Sequence, residues 1–305
     1  MRAQIRLRAF AKVNYALDVL GLREDAYHEV RTVMQSVSLA DEVEIEVADR
    51  GFELWVEPEG TMVGPPEDNT AYRAWKLLCG LAGAELPVWV TLRKGIPAGA
   101  GLGGGSADAA AVLVGLNELF GLGLRVEGLR EVGRRIGADV SFCVSGGTVL
   151  GEGVGDLLSP LPTPPAHHLV VTKPPAGADT AKIYRTYDEE AARSVRSVGL
   201  VVAALESGSL PTLAGAVGND LESVTANLVP EVAQLRRCLM DAGALGASMS
   251  GSGTAVYGIF DEVGAARSAA QNSEAPFAGV YGPVSCGVEE IRPGGPYSSE
   301  RSPRD

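Results

Sequence analysis

Cysteine is scarce in this chain and shows no pairing pattern. Cys79, Cys143, Cys238 and Cys286 lie far apart, with no C-x-x-C and no histidine at metal-ligand spacing. That excludes a disulfide framework or a cysteine-rich metal site, and four scattered thiols, each read as a small buried hydrophobe, suit a reducing cytoplasm. Basic residues are also in short supply, with 26 Lys and Arg against 38 Asp and Glu and a net charge of −12. Such a surface repels polyanions, so nucleic acid, whose binding rests on neutralising many phosphates at once, is not an expected partner. Any phosphate bound here has to be held locally, by backbone N–H groups and a few lysines. Long apolar runs are missing too, and no stretch is long enough to span a bilayer. The start, Met-Arg-Ala-Gln-Ile-Arg-Leu-Arg, is basic, but Lys12, Asn14 and Asp18 interrupt any apolar leader core. The reading is therefore a soluble, cytoplasmic protein without a leader peptide or a membrane segment.

What is present is a chain of 305 residues, more than one core usually organises, so two domains are expected. Ile5, Leu7 and Ala9 alternate with Arg6 and Arg8, as a half-buried first strand does. Further alternations run through Val33–Leu39, Val43–Val47, Phe52–Val56 and Val88–Leu92, and their charged face points to antiparallel sheet with one side wet. Asp68 and Asn69 cap a helix that Gly80 and Gly83 end; a second helix is expected from about Ser106 to Phe120 and a third from Val126 to Ile136. The proline-dense stretch from Leu158 to His168 reads as the boundary between domains of residues 1–158 and 159–291. Beyond it, helices are expected at 180–190, 194–206, 210–217, 229–242 and 262–271, and strands at 168–173, 254–260 and 277–281. Strands and helices do not alternate strictly, which favours α+β over a doubly wound parallel fold. Residues 292–305, rich in Pro, Gly and Ser, read as a disordered tail.

The strongest local signal is Lys94-Gly-Ile-Pro97-Ala98-Gly99-Ala100-Gly101-Leu102-Gly103-Gly104-Gly105-Ser106-Ala107-Asp108, which follows a strand and opens a helix. Glycines allow close backbone approach and gather N–H groups into one concavity, and the helix N-terminus behind adds a positive dipole end, so the pair suits a polyphosphate. No lysine follows the glycines, which excludes the G-x-x-x-x-G-K-[ST] loop. Gly99 to Gly104 fits G-x-G-x-x-G, yet the segment after Phe120 supplies neither a parallel strand nor its acidic end residue, against a dinucleotide-dependent oxidoreductase. None of His28, His167 and His168 begins an H-R-D, against a protein kinase.

Pro97 to Ala110 resembles the central motif of the galactokinase, homoserine kinase, mevalonate kinase and phosphomevalonate kinase superfamily, the GHMP kinases. Phe10-Ala-Lys12-Val-Asn14-Tyr near the start and Met249-Ser-Gly251-Ser-Gly253-Thr-Ala-Val-Tyr-Gly late in the chain fit the same pattern, in the same order. Within the superfamily the likeness is to the kinases of 4-diphosphocytidyl-2-C-methyl-D-erythritol, of the non-mevalonate isoprenoid route. It is carried by Arg23-Glu-Asp25-Ala-Tyr27-His28, Ile136-Gly-Ala-Asp139-Val, Gly151-Glu-Gly-Val-Gly155, Glu67-Asp-Asn69 and Gly218-Asn-Asp220, and runs from about residue 5 to residue 288.

The resemblance implies a two-domain α+β fold, mainly antiparallel sheet with packed helices in each domain, and ATP with Mg²⁺ as phosphoryl donor. It implies Asp139 as the base for the substrate hydroxyl with Lys12 beside it, a pairing that favours the ionised carboxylate and steadies charge on the attacking oxygen. Asn69, Lys94 and the run Pro97 to Ala107 become ATP contacts; Ser106, by position a helix N-cap, becomes a candidate magnesium ligand. Asn14, Tyr27, His28, Thr180 and Tyr184 become contacts to a cytidine-diphosphate-linked alcohol, the tyrosines offering faces for a pyrimidine and His28 a donor–acceptor edge. The resemblance leaves room for a homodimer. Four positions depart from the pattern: Ala26 for glycine, Ala107 for a second serine, Ser141 for proline and Ser248 for the arginine of some relatives. Two rival readings stay open: a kinase of another small alcohol, which would not need Tyr27 and His28, and a regulator that has lost catalysis, which would be expected to lack Lys12 or Asp139.

Overall fold

Ile5, Leu7 and Ala9 face the core while Arg6 and Arg8 stay half-exposed, as the alternation demands, in the first half of β1 (Gln4–Leu22). From Ala9 to Val19 every residue is buried, because the strand is covered there on both faces and has no wet side to mark it. In this computed structural model, which describes residues 3–58, 65–190 and 197–292, β1 pairs antiparallel with β2 (His28–Val47) along nearly its whole length. The register shifts at Phe10/Ala11, Asn14/Ala16 and Val19/Gly21, the bulges that bend so long a ribbon. The alternations at Val33–Leu39 and Val43–Val47, expected as separate strands, are thus one strand.

The chain continues through β3 (Phe52–Glu57), α1 (Thr70–Ala82) and β4 (Val88–Arg93). Asn69 caps α1 by accepting from the Ala71 N–H at 2.9 Å, and Gly83 closes it in the left-handed region at φ 64°, as the sequence foretold. Then come α2 (Gly104–Phe120), α3 (Val126–Arg134), α4 (Ala138–Ser145), β5 (Thr148–Glu152) and β6 (Leu157–Pro160). The alanine-rich α2 is buried along most of its length, with Gly115 bare where a methyl would overlap Ile45 of β2 and come within 3.1 Å of Leu7 of β1. The helix therefore lies close on the sheet.

The second half holds β7 (His168–Lys173), α5 (Thr180–Glu190), α6 (Ser197–Ser207), α7 (Leu210–Ala216), β8 (Gly218–Asn219), α8 (Glu222–Leu228), α9 (Glu231–Asp241), β9 (Gly246–Met249), β10 (Val256–Phe260), α10 (Val263–Gln271), β11 (Phe277–Tyr281) and β12 (Val288–Glu290). One sheet runs β12-β1-β2-β4-β3, with β5 on β2, β6 on β5 and β8 on β1; the other runs β11-β7-β10-β9. Among the described residues only β3·β4 and β1·β8 are parallel, so the fold is the expected α+β, mainly antiparallel, architecture. The helix expected at 229–242 starts at Glu231, with Pro230 at its cap, and a separate helix α8 precedes it. The first residues of the helix expected at 194–206, and the tail from residue 293, lie outside the described residues. No helix among the described residues is long and apolar enough to cross a membrane.

Candidate active site

Between β4 and α2 the glycine loop turns through Gly99, Gly101 and Gly103 at φ 59°, 73° and 74°, values a side chain makes strained. Four successive loop carbonyls are tied to three parts of the fold, two of them to the turn between β9 and β10. Ala178 N–H donates to Gly99 O (3.1 Å), Ala255 N–H to Ala100 O (3.0 Å), Ser250 Oγ to Gly101 O (2.9 Å) and Lys12 N–H to Leu102 O (2.9 Å). In a trans peptide unit the next N–H points opposite to the carbonyl, so tying these oxygens back turns the N–H groups of residues 100–103 away from those contacts. Gly103, not Ser106, occupies the N-cap of α2, and no side chain caps it. The expected capping role of Ser106 is corrected accordingly: the helix starts two residues earlier, and Ser106 is its third residue.

The loop is a wall shared by two cavities. The larger, about 770 Å³, is lined by Lys12, Asn14, Tyr27, His28, Ser106, Asp139, Thr180 and Tyr184. The smaller, about 290 Å³, is lined by Asn69, Lys94, Pro97, Ala98, Ala100, Leu102, Gly104 and Gly105, and Gly99, Gly101 and Gly103 face both. Ala107 is fully buried behind the loop and lines neither.

Lys12 and Asp139, 127 positions apart, meet at the floor of the larger cavity with Nζ 3.3 Å from Oδ2. Lys12 is only 4% exposed; its Nζ also donates to Asn14 Oδ1 at 2.8 Å. Asn14 is fixed in turn by donating to Thr32 Oγ1 (2.7 Å) and by Ser250 Oγ (3.3 Å). Asp139 sits in the first turn of α4 with its side chain about a third exposed, so its carboxylate reaches the cavity while its helix stays buried. Gly103 is bare where a Cβ would come within 3.1 Å of Lys12 Cγ, which lets the loop close over the pair. Ser141, at the position of the missing proline, donates to Arg130 O at 2.7 Å and ties α4 to α3.

At the far end of the cavity Tyr27 is 66% exposed, whereas His28 is packed. The rings of His28 and Tyr184 stack at 4.6 Å and 28°, and His28 Nε2 lies 3.0 Å from both carboxylate oxygens of Asp188. Burial, with the Asp139 charge adding to it, pushes the Tyr184 hydroxyl well above its usual range. Thr180 Oγ1 lies 2.8 Å from Ser252 Oγ, across the cavity mouth. Asp188 was not foreseen from the sequence, although it stands four residues beyond Tyr184 on α5, the spacing of one helix face.

Lys94, expected as a nucleotide contact, lines the smaller cavity and is also ion-paired there. Its ammonium bonds both Asp41 and Asp108, and Asp41 Oδ1 accepts the N–H groups of Gly95 (2.7 Å) and Ile96 (2.8 Å). Burial opposes the Lys94 charge, but the attraction of Asp108 and Asp41 outweighs it and its pKa is raised. Two carboxylates share one ammonium here, and Asp108, fully enclosed and with Oδ1 unpartnered, is pushed up to about 7, by burial first and by Asp41 after it. Neither Asp41 nor Asp108 was given a role from the sequence: Asp108 ends the glycine motif without one, and Asp41 has no sequence neighbour that marks it.

Residues 69–147 match the GHMP kinases N terminal domain, and residues 201–276 match the GHMP kinases C terminal family. The chain is 44% identical over 264 residues to a 4-diphosphocytidyl-2-C-methyl-D-erythritol kinase of Pelotomaculum thermopropionicum, covering 86% of this chain and 91% of that one. It is 43% identical to the protein of the same name from a Geobacter species, over 89% of this chain and 95% of that one. Among solved structures, a 4-(cytidine 5'-diphospho)-2C-methyl-D-erythritol kinase superposes with a TM-score of 0.74 at 35% identity, over 91% of this chain and 99% of that one. A homoserine kinase from Cytophaga hutchinsonii superposes with a TM-score of 0.75 over 95% of this chain and 98% of that one, but at 22% identity it speaks for the fold alone. The tied-back glycine loop, the Lys12–Asp139 pair and these likenesses agree: the chain belongs to the 4-diphosphocytidyl-2-C-methyl-D-erythritol kinase family of GHMP kinases.

Proposed function

We propose that this chain is a cytoplasmic enzyme that transfers the γ-phosphoryl group of ATP to the 2-hydroxyl of 4-diphosphocytidyl-2-C-methyl-D-erythritol. The observation that carries the reading is the loop with its carbonyls tied back, standing between two cavities with Lys12 and Asp139 at the floor of one. In this reading ATP lies along the smaller cavity, beside Asn69 and the stem of Lys94, and its phosphates cross the N–H groups of residues 100–106. The acceptor lies in the larger cavity, with Asn14 and Thr180 along its path and its pyrimidine at Tyr27, His28 and Tyr184. The same reading divides the chain into an ATP-binding part, residues 1–158, and a substrate-side part, residues 159–291.

The chemistry asked of the protein is modest. Asp139 takes the proton of the 2-hydroxyl as its oxygen bonds to the γ-phosphorus, the bond to the β-phosphate oxygen breaks, and ADP leaves. Lys12, buried and held by Asn14, steadies the negative charge that gathers between the two oxygens. Magnesium carried on the nucleotide neutralises phosphate charge when bound. Among the described residues no group of three or more His, Cys, Asp or Glu could hold a metal unaided, which suits an ion delivered by the phosphates, with Ser106 Oγ as the oxygen this chain adds. The rival readings fit less well. A regulator without catalysis would not need Lys12 and Asp139 in contact, and a kinase of another small alcohol would leave the far end of the cavity without a use.

The test is Asp139→Asn. It should lower kcat by about a thousandfold, within the range for a lost general base, while ATP should raise the melting temperature of variant and parent protein alike. Full turnover in this variant would overturn the base assignment.

A further inference from the structure

His28 is held from two directions that the base-reading role does not by itself require. Its ring face rests on Tyr184, centroids 4.6 Å apart, and its Nε2 lies 3.0 Å from both oxygens of Asp188. The His28 side chain is 9% exposed and that of Asp188 is 40%, so the pair reaches from the cavity wall to solvent. Tyr184 and Asp188 sit four residues apart on α5, whereas His28 opens β2; the contact joins an element of the second half of the chain to one of the first.

A carboxylate can only accept, so the nitrogen facing Asp188 has to carry the proton. In a neutral imidazole that leaves Nδ1 as an acceptor. The exocyclic 4-amino group of cytosine is a donor, while uracil presents a carbonyl oxygen at the same position. An acceptor held there pairs with the first and faces the second lone pair to lone pair. We infer that Asp188 is a specificity-determining positioning residue: it fixes the His28 tautomer that selects a 4-aminopyrimidine, a cytidine diphosphate, over its uridine counterpart. The inference rests on the proposed function for its substrate class, and adds a residue and a selection rule to it.

The experiment compares kcat and KM, at about pH 8 where an ordinary imidazole is neutral, for the cytidine-diphosphate-linked alcohol and its uridine analogue. It uses the full-length wild type, Asp188→Ala, Asp188→Asn and Asp188→Glu. Wild type should prefer the cytidine compound. In Asp188→Ala, KM for that compound should rise about tenfold, the loss of one well-placed hydrogen bond, and the preference over uridine should shrink by a similar factor, with kcat and the KM for ATP held. Asp188→Asn, whose amide can turn either its oxygen or its NH₂ to Nε2, should narrow the preference further than it raises KM, and Asp188→Glu should restore most of both. Unchanged KM and preference in Asp188→Ala would overturn the positioning role while leaving the kinase reading intact. A fall in kcat and in ATP affinity together would mark a merely structural residue and would also overturn it. A wild type that turns over neither compound would instead remove the functional reading on which the inference stands.

Discussion

Gly101→Ala tests how the glycine loop is built. The added Cβ would overlap the Ser250 carbonyl oxygen and come to 3.0 Å from the Gly253 nitrogen, both backbone atoms that cannot swing aside. Three effects add: alanine at φ 73°, about 1–2 kcal/mol; displacement of packed backbone, about 1–3 kcal/mol; and loss of the Ser250 Oγ bond to Gly101 O, about 1 kcal/mol. A destabilisation of about 4 kcal/mol follows. Gly51→Ala is the matched control, since Gly51 has φ 71° and nothing within 4 Å of an added Cβ, so only the backbone strain of about 1–2 kcal/mol remains. Urea unfolding of both variants isolates the steric part, and ADP release measures the consequence. The control should keep kcat, while Gly101→Ala should lose about a hundredfold, the effect of moving positioned groups by an ångström. If the two variants unfolded alike and both stayed active, the loop would not be latched against the turn after β9, and the account of its N–H cradle would fail.

Three further outcomes are expected. Ala26 holds a left-handed φ of 64° where the family pattern has glycine, so Ala26→Gly should stabilise the protein by about 0.5–1 kcal/mol in urea unfolding; a loss of stability would show that the turn does not strain alanine. Lys94→Met leaves Asp41 and Asp108 buried without their cation and should cost about 3–5 kcal/mol, also read by urea unfolding; a cost under about 1 kcal/mol would mean that the backbone N–H groups of Gly95 and Ile96 suffice. Asp108 holds its proton more tightly folded than unfolded, so its ionisation opposes folding: its contribution declines as pH rises from 3.8 to about 7. Asp108→Asn should lack that decline, so the difference between the two stability–pH curves should change over this range, and parallel curves would contradict the raised carboxyl.

The elements that were legible in the sequence are those with one wet face. Ile5, Leu7 and Ala9 against two arginines, and the cap and stop of α1 at Asn69 and Gly83, read directly because burial on one side only leaves a period behind. Two of the elements that escaped are covered on all sides or very short. Helix α4 buries Val140, Ser141, Phe142, Cys143 and Val144 in succession and shows no polar stripe, and β8 is two residues long. The site divides in the same way. The glycine loop is contiguous and declares itself as a polyphosphate cradle from chain geometry alone. Lys12 and Asp139 became a pair only through resemblance, since nothing local links a lysine in a strand to an aspartate in a distant helix. The ion pairs of Lys94 lay outside that route: its position in the motif marks a nucleotide contact, and the fold adds two carboxylates at its ammonium, from β2 and α2.

The most direct measurement is an ADP-release assay with magnesium and ATP, offering 4-diphosphocytidyl-2-C-methyl-D-erythritol, homoserine and mevalonate in parallel. The account predicts turnover with the cytidine compound alone, with the phosphoryl group on its 2-hydroxyl. Turnover with homoserine or mevalonate and none with the cytidine compound would contradict it, and would leave His28, Tyr184 and Asp188 without the role assigned to them.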